Sequence, residues 1–352
     1  MEGRYRVQGE ARFNDDQEVT LRSSVAVLLF ALVSCTSSEG ASYRANPLAV
    51  TGPRSGLVVR VLDVGQGDAT LIENGGSRVL IDGGPDVRRF ERLLDSLDLN
   101  DSTFDVVILS HQHADHLIGL RALFESRRHI KVRYFFENKD PSAAANLRHL
   151  RDSILARVDR NGLIYRDTDD PCANGTPVCT ITMRGGAVLH IMRPYPGSTD
   201  PNDRSAPVKL VGPDSASFTM WFGGDAQQMA VDWFVGAAGY AKNPGMEIDV
   251  LKADHHGSCN GLTNAYLDAL HARDVVVSVG AVNPYGHMHT QAKAAYRAHG
   301  AEWYRTDQNG TITIESPGTP GAGYHITPQR PGVNRSGPSD RRSNQSQCRP
   351  IP

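Results

Sequence analysis

The sequence predicts an α/β fold in which two sheets pack together and helices cover the outside. Three observations predict it. Short apolar runs alternate along the chain with stretches of three- and four-residue apolar spacing, the signatures of strand and helix. Several of the strands run straight into histidine and aspartate clusters, which suits a site at a sheet edge better than a core. Two such clusters, one in each half, follow similar strands: Asp105-Val106-Val107-Ile108-Leu109 and Asp249-Val250-Leu251-Lys252. Strand ends from both halves would then meet at one edge of the sandwich.

The body starts near Gly56. Leu57 to Asp63 reads as a strand and Gly65-Gln66-Gly67-Asp68 as a turn. Ala69–Glu73 and Arg78–Ile81 form a hairpin, because Asn74-Gly75-Gly76 supplies the residues a tight turn requires. Asp82-Gly83-Gly84-Pro85 stops the sheet. Val87, Phe90, Leu93, Leu94 and Leu97 share one face of a helix. Val106–Leu109 leads into Ser110-His111-Gln112-His113-Ala114-Asp115-His116, with a helix expected at or just after His116. A strand over 131–136, a helix over 143–158 and a loop over 166–178 follow; Leu147, Leu150, Ile154, Leu155 and Val158 would form one stripe of that helix.

The second half repeats the rhythm. Strands are expected at Thr180–Met183, Val188–Met192, Val208–Val211 and Ser217–Phe222, the last ending in Gly223-Gly224-Asp225. A helix over 226–235 precedes the strand over 248–253, which ends in Asp254-His255-His256-Gly257-Ser258. A helix near 263–271, the strand Val275–Val279, a helix near 290–299 and a hairpin around Asn309-Gly310 complete a domain over 56–316. Residues 317–352, rich in Pro, Gly, Ser and Arg, are expected to be a disordered tail.

The 352 residues carry a net charge of −2, with 39% hydrophobic and 22% charged residues. That composition describes a globular body with no overall field demanding a nucleic-acid partner, so any substrate attraction is local. Five cysteines are too few for a disulfide scaffold at this length. Cys172 and Cys179 are the one plausible disulfide, conditional on export. Val25 to Val33 is an apolar run too short to span a membrane but suited to a signal-peptide core, with Arg22 as its positive flank. Leu32-Val33-Ser34-Cys35 resembles the bacterial lipobox, which implies lipidation at Cys35 and an exported, membrane-anchored protein. Residues 1–35 are therefore read as a signal segment, with initiation at Val19 as one explanation for the polar start, and 36–55 as a linker.

Imidazole and carboxylate together suit zinc, and also manganese or iron. His111 and His113 are two apart, so extended backbone points them the same way. Asp115 and His116 come after a turn and can aim at a second position. That geometry suggests two metals roughly 3.5–4 Å apart, which make a nucleophile from water at neutral pH. Gly65-Gln66-Gly67 lacks the lysine of a phosphate loop, and no Gly-x-Ser-x-Gly marks a serine hydrolase.

Seven segments then resemble, in order, the metallo-β-lactamase fold superfamily with its His-x-His-x-Asp-His signature. They are LDVGQGDATLI (62–72), LIDGG (80–84), SHQHADHLIGL (110–120), NDRS (202–205), FGGDA (222–226), DVLKADHHGS (249–258) and SVGAVNPYGH (278–287). The likeness runs over about 57–315 and is nearest to the hydrolase domain of ComEC-type DNA-uptake proteins. It implies a four-layer αββα sandwich. It implies His111 and His113 as ligands of a first metal, Asp115 and His116 as ligands of a second, and Asp225 as the bridging carboxylate. His255 matches the last ligand of the second metal, with His256 as the alternative if the register is one off. Asp82 matches an acid that orients a ligand imidazole, and Asp68 has a similar role near the site. His287 lies in a glycine-histidine turn suited to touching the substrate phosphate or protonating the leaving group.

One position departs from the superfamily, which elsewhere supplies a third histidine to the first metal. Asn202 to Ser205 fills that place, so the first metal is expected to be weakly held or absent, with His190 as a rival ligand. The bland alternatives are a helix cap for Asp225, a turn cap for Asp68, a functionless pair for His255 and His256, and an ordinary loop for His287 and His289. The expected activity is phosphodiester hydrolysis of a nucleic acid or small molecule by metal-bound hydroxide, with no obligate protein partner. Carboxylic ester or lactam hydrolysis is the second reading. A surface binding protein that keeps the fold without turnover is the third.

Overall fold

The computed structural model describes residues 56–331, except 126–128, 140–143, 214–217 and 320, together with Ile351. The expected signal segment, linker and lipidated Cys35 lie outside the described residues. No helix among the described residues is long and apolar enough to cross a membrane.

The strands in chain order are β1 (Leu57–Val61), β2 (Thr70–Asn74), β3 (Ser77–Ile81), β4 (Thr103–Ile108), β5 (Lys131–Glu137), β6 (Ile164–Asp167), β7 (Val178–Thr182), β8 (Val188–Met192), β9 (Val208–Val211), β10 (Thr219–Phe222), β11 (Val250–Lys252), β12 (Asp274–Val277), β13 (Glu302–Arg305), β14 (Ile312–Ser316) and β15 (His325–Pro328). One sheet has the order β15-β14-β1-β2-β3-β4-β5-β6 and the other β13-β12-β11-β10-β9-β8-β7. Strands β3 to β6 run parallel, as do β10 to β13.

Alternation along the strands builds the layers. Val106 and Ile108 of β4, with Met220 and Phe222 of β10 and Val250 of β11, point into the core between the sheets. Val107 and Leu109 face the other way, against Phe90, Leu94, Leu147 and Leu150 of the helices Val87–Ser96 and Ala145–Asn161. Trp221 and Leu251 meet Val231, Phe234 and Tyr266 of the helices Gln228–Val235 and Asn264–Leu270 on the opposite side. The result is the αββα sandwich. Because both faces of the central strands are buried, these runs are nearly continuous in apolar residues. The helix Val87–Ser96 starts where Asp86 accepts a hydrogen bond from the Arg89 N–H at 2.6 Å.

Several boundaries differ from the sequence expectation. The expected tail contributes β15, which pairs antiparallel with β14. Its Ile326 and Tyr324 pack against the inter-sheet core, and the Tyr324 hydroxyl donates to Asp274 at 2.7 Å. A short strand there covers the polar backbone edge of β14, which composition alone does not reveal. The expected loop over 166–178 gives its first residues to β6 and its last to β7. No hairpin forms at Asn309-Gly310; β13 and β14 lie in different sheets, and a helical turn Thr306–Asn309 carries the chain between them. The helix expected at His116 starts at Ala114, and Leu155 is exposed rather than on the buried stripe. Cys172 and Cys179 are joined in a disulfide.

Candidate metal centre

The C-terminal ends of the parallel strands β3, β4, β10 and β11, and the loop between β1 and β2, converge on one edge of the sandwich. Parallel strands present their following loops at a common edge, which is where open α/β sheets place their sites. The loops are packed closely. The Asp68 N–H donates to the Asp115 carbonyl at 3.1 Å, and a Cβ on Gly67 (φ +148°) would fall 2.3 Å from that same oxygen. Only glycine lets Asp68 reach the cluster there.

Two groups of donors form, and Asp225 belongs to both. Asp68, His116, Asp225 and His256 make one; His111, His113 and Asp225 make the other. Asp225 Oδ1 lies 3.3 Å from His116 Nε2, and Oδ2 lies 3.7 Å from His111 Nε2 and 3.5 Å from His256 Nε2. His111 Nε2 and His113 Nδ1 are 3.1 Å apart. Asp115, with its side chain 30% exposed, places Oδ2 3.2 Å from His256 Nε2. The Asp225 N–H donates to Ser205 Oγ at 3.0 Å, so the 202–205 segment supports this carboxylate.

Asp82 sits at the end of β3 with φ +60°, a conformation that costs a non-glycine residue energy and is kept where the fold enforces it. Its Oδ2 accepts from His116 Nδ1–H at 2.8 Å and from Ser110 Oγ–H at 2.7 Å, and its Oδ1 from the Ser110 N–H at 2.8 Å. This fixes the His116 tautomer and leaves Nε2 facing Asp225.

The electrostatics follow from three buried carboxylates, Asp68, Asp82 and Asp225, and the half-buried Asp115 among imidazoles. Burial disfavours the charged form of His116, but Asp225 and Asp82 outweigh it and hold the imidazole well above its usual pKa. Burial is likewise overcome at His256, where Asp225, Asp115 and Asp68 push it up to about 10. Against the same opposing burial, His256, His116 and His255 hold Asp225 well below the carboxylate range. His111 goes the other way: burial and the His116 charge lower it. The arrangement demands positive charge at its centre. His116 Nε2, Asp225 Oδ1 and Asp68 Oδ1 are buried without a hydrogen-bond partner. Buried orphan donors and acceptors of this kind are costly. A divalent cation held by nitrogen and oxygen would satisfy them, so the residues fit the metal that the donor set implies.

The structure separates the two adjacent histidines. His256, buried, sits in the Asp68–His116–Asp225 group, the position the sequence register assigned first to His255. His255 turns toward the mouth, with Nε2 4.0 Å from Asp225 Oδ2. His190 is elsewhere: on β8, it meets Thr180 Oγ1 at 3.0 Å and pairs across the sheet with Lys209. Asn202 Oδ1 is buried without a hydrogen-bond partner, and the Asn202 carbonyl accepts from the Ser205 N–H at 3.0 Å. His287 lies over the two histidines, with ring centroids 5.5 Å from His255 and 6.1 Å from His256. Burial, then the neighbouring His256, His255 and His289, push it down to about 2. A neutral imidazole there can offer an N–H but holds no spare proton. Tyr285, 59% exposed, stacks on it at 5.6 Å.

Sequence reasoning missed Lys252. Its ammonium is buried and donates to Asp68 Oδ2 at 2.8 Å and to the Ala253 carbonyl at 3.0 Å. The signal was present, since Lys252 is a charge at the inner-facing position of an otherwise apolar strand.

Residues 62–212 match the family model of the metallo-beta-lactamase superfamily. The chain is 36% identical over 69 residues to ComE operon protein 3 of Bacillus subtilis (strain 168), covering 20% of this chain and 9% of that protein. It is 26% identical over 289 residues to competence protein ComA of Neisseria gonorrhoeae, covering 77% of this chain and 33% of that one. The chain thus spans a third or less of the length of these relatives. Among solved structures, the metallo-beta-lactamase fold protein YhfI from Bacillus subtilis aligns with a TM-score of 0.43 at 15% identity, over 71% of this chain and 96% of the other.

Proposed function

Since this chain carries a metallo-β-lactamase superfamily domain, we propose that it is a metal-dependent phosphodiester hydrolase, a nuclease or small phosphodiesterase. The observation that carries the proposal is Asp225, which belongs to both donor groups, one with His111 and His113 and the other with Asp68, His116 and His256. Zinc, manganese or iron suits this mixed nitrogen and oxygen set. When bound, such ions lower the pKa of water toward neutrality and polarise the attacked oxygen.

The chain's own residues do the rest. Asp82 and Ser110 hold His116 in the tautomer that presents Nε2. Lys252 fixes Asp68. His287 offers an N–H toward a phosphoryl oxygen, and Tyr285 gives an exposed aromatic face beside it for a base or other planar group. The phosphodiester reading rests on the resemblance of the seven sequence segments to the hydrolase domain of ComEC-type DNA-uptake proteins. Export and lipid anchoring through Cys35 belong to the same proposal, and the Cys172–Cys179 disulfide supports an oxidising compartment.

The test is a substrate panel of bis-p-nitrophenyl phosphate, DNA and nitrocefin, with zinc or manganese, on the native chain and Asp225→Asn. Cleavage of a phosphodiester that Asp225→Asn abolishes supports the proposal. Cleavage of nitrocefin with neither phosphodiester touched moves the assignment to lactam hydrolysis. Metal uptake without any turnover moves it to a binding protein.

A further inference from the structure

We propose that Gln112 is a positioning residue for the first metal site, with the Glu137–Arg151 ion pair behind it as its anchor. The inference rests on the metallohydrolase reading above and concerns the group of His111, His113 and Asp225.

The need for an anchor shows in the imidazoles. The two histidines of the second group are each held at Nδ1. His116 Nδ1 meets Asp82 at 2.8 Å, and His256 Nδ1 meets the Ser278 carbonyl at 3.0 Å. In the first group, His111 Nδ1 lies 3.2 Å from Ser110 Oγ. His113 differs. Its one hydrogen-bonding contact among the described residues is the 3.1 Å approach of Nδ1 to His111 Nε2, inside the donor group itself. A ligand imidazole is ordinarily oriented by a partner outside the site. The direction of the His113 ring therefore depends on its backbone, and the neighbouring residue is the one that ties this backbone down.

Gln112 sits between the two ligands, and its Nε2 donates to the Asn138 carbonyl at 2.8 Å. The same carbonyl accepts from Arg151 Nη2 at 3.0 Å, so both of its lone pairs are used. Arg151 also donates to Glu137, from Nε at 2.6 Å and from Nη2 at 3.0 Å. Both Nη2 protons are thereby committed, which leaves the guanidinium one orientation. The Tyr165 hydroxyl donates to Glu137 as well. Regular elements carry each part. Glu137 ends β5, Tyr165 lies on the adjacent β6, and Leu147, Leu150 and Ile154 pack the helix of Arg151 against the sheet.

The Glu137 side chain is 1% exposed. A buried ion pair is weak evidence for stability, because well-packed apolar residues of like volume often serve as well. Apolar residues could not hold the Asn138 carbonyl for Gln112. Bonding between β4 and β5 continues through the Leu109 N–H to the Phe136 carbonyl at 2.8 Å, so the ligand loop leaves its strand beside this pair. His116 is held separately by Asp82, so loosening Gln112 should reach the first site and spare the second.

Cobalt titration of the full chain, followed by visible absorption, is the test. The native chain should bind two ions in two steps. The step that His113→Ala removes belongs to the first site, and the step that His256→Asn removes belongs to the second; asparagine tolerates the left-handed backbone at 256. If His256→Asn fails to fold, the step that survives in His113→Ala identifies the second site. Gln112→Ala should weaken the first step 10–100-fold and leave the second in place. Gln112→Glu keeps the length but loses the donor, and should act as Gln112→Ala does. Arg151→Lys keeps the charge but not the fork that binds Glu137 and the Asn138 carbonyl together, and should weaken the same step. Equal weakening of both steps by Gln112→Ala, or of neither, overturns the inference. So does a first step that Gln112→Glu keeps at native strength. A native chain that binds one ion overturns it while leaving the metallohydrolase reading standing. A native chain that binds none sinks both.

Discussion

Replacing Lys252 by methionine should strand a buried carboxylate next to the metal centre. The Lys252 and Asp68 side chains are 4% and 6% exposed, and their charged atoms are 2.8 Å apart. Methionine keeps the apolar stem and deletes the ammonium. Asp68 Oδ1 already lacks a hydrogen-bond partner, so the loss leaves the carboxylate with little compensation. His256 is the nearest replacement cation, but its Nδ1 is 3.9 Å from Asp68 Oδ2 and its N–H is directed at the Ser278 carbonyl at 3.0 Å. Removing one partner of a buried pair costs about 3–5 kcal/mol. Against a total stability of about 5–15 kcal/mol, that is roughly 30–50% in the middle of the range. Equilibrium denaturation in metal-free buffer measures it for the native chain, Lys252→Met, Asp68→Asn and the double variant. The double variant should recover more than half of the single Lys252→Met loss, because no unpaired charge remains. A Lys252→Met loss under about 1 kcal/mol would refute the reasoning.

Asp82→Asn keeps a residue tolerant of φ +60° but weakens the acceptor that orients His116; metal affinity should fall 10–100-fold by competition titration, with the fold retained by circular dichroism. His289 is buried, which favours the neutral ring in the folded state and lowers its pKa against the opposing hydrogen bond from Nε2–H to the Tyr285 carbonyl at 3.2 Å. The unfolded chain then binds the proton more tightly. Stability should fall as pH drops below the unfolded value near 6.5, by at most about 1.4 kcal/mol per pH unit for this group. Denaturation midpoints between pH 7 and 5.5 should therefore depend less on pH in His289→Gln, and an equal dependence in both chains would count against it. Tyr285→Ala should raise KM for single-stranded DNA by roughly 5-fold or more, the scale of one lost base stack, while cobalt stoichiometry stays unchanged.

Much of the fold was legible because local periodicity reports burial directly. The runs at Val106–Leu109 and Val250–Lys252 are core strands in the structure, and the apolar stripe over Val87–Leu97 marks a packed helix. The ligand types were legible too, since His111, His113, Asp115 and His116 sit within one short span after a strand. Less legible were β15, whose composition resembles a tail, and the crossing between β13 and β14, which depends on which sheet has a free edge.

The sequence by itself therefore determined the two-sheet architecture, the strand ends that carry chemistry, and the inventory of imidazoles and carboxylates. Only the tertiary structure decided how those donors are shared. Side-chain direction can be counted off a sequence while the backbone is a regular strand or helix. It cannot be counted through His255 and His256, where two left-handed residues in succession replace alternation, and one ring goes inward while the other faces the mouth. Nor can spacing reveal that Lys252 and Asp68, 184 positions apart, neutralise each other between the sheets. That pairing, like the position of Asp225 between two donor groups, follows from the packing of one sheet on the other.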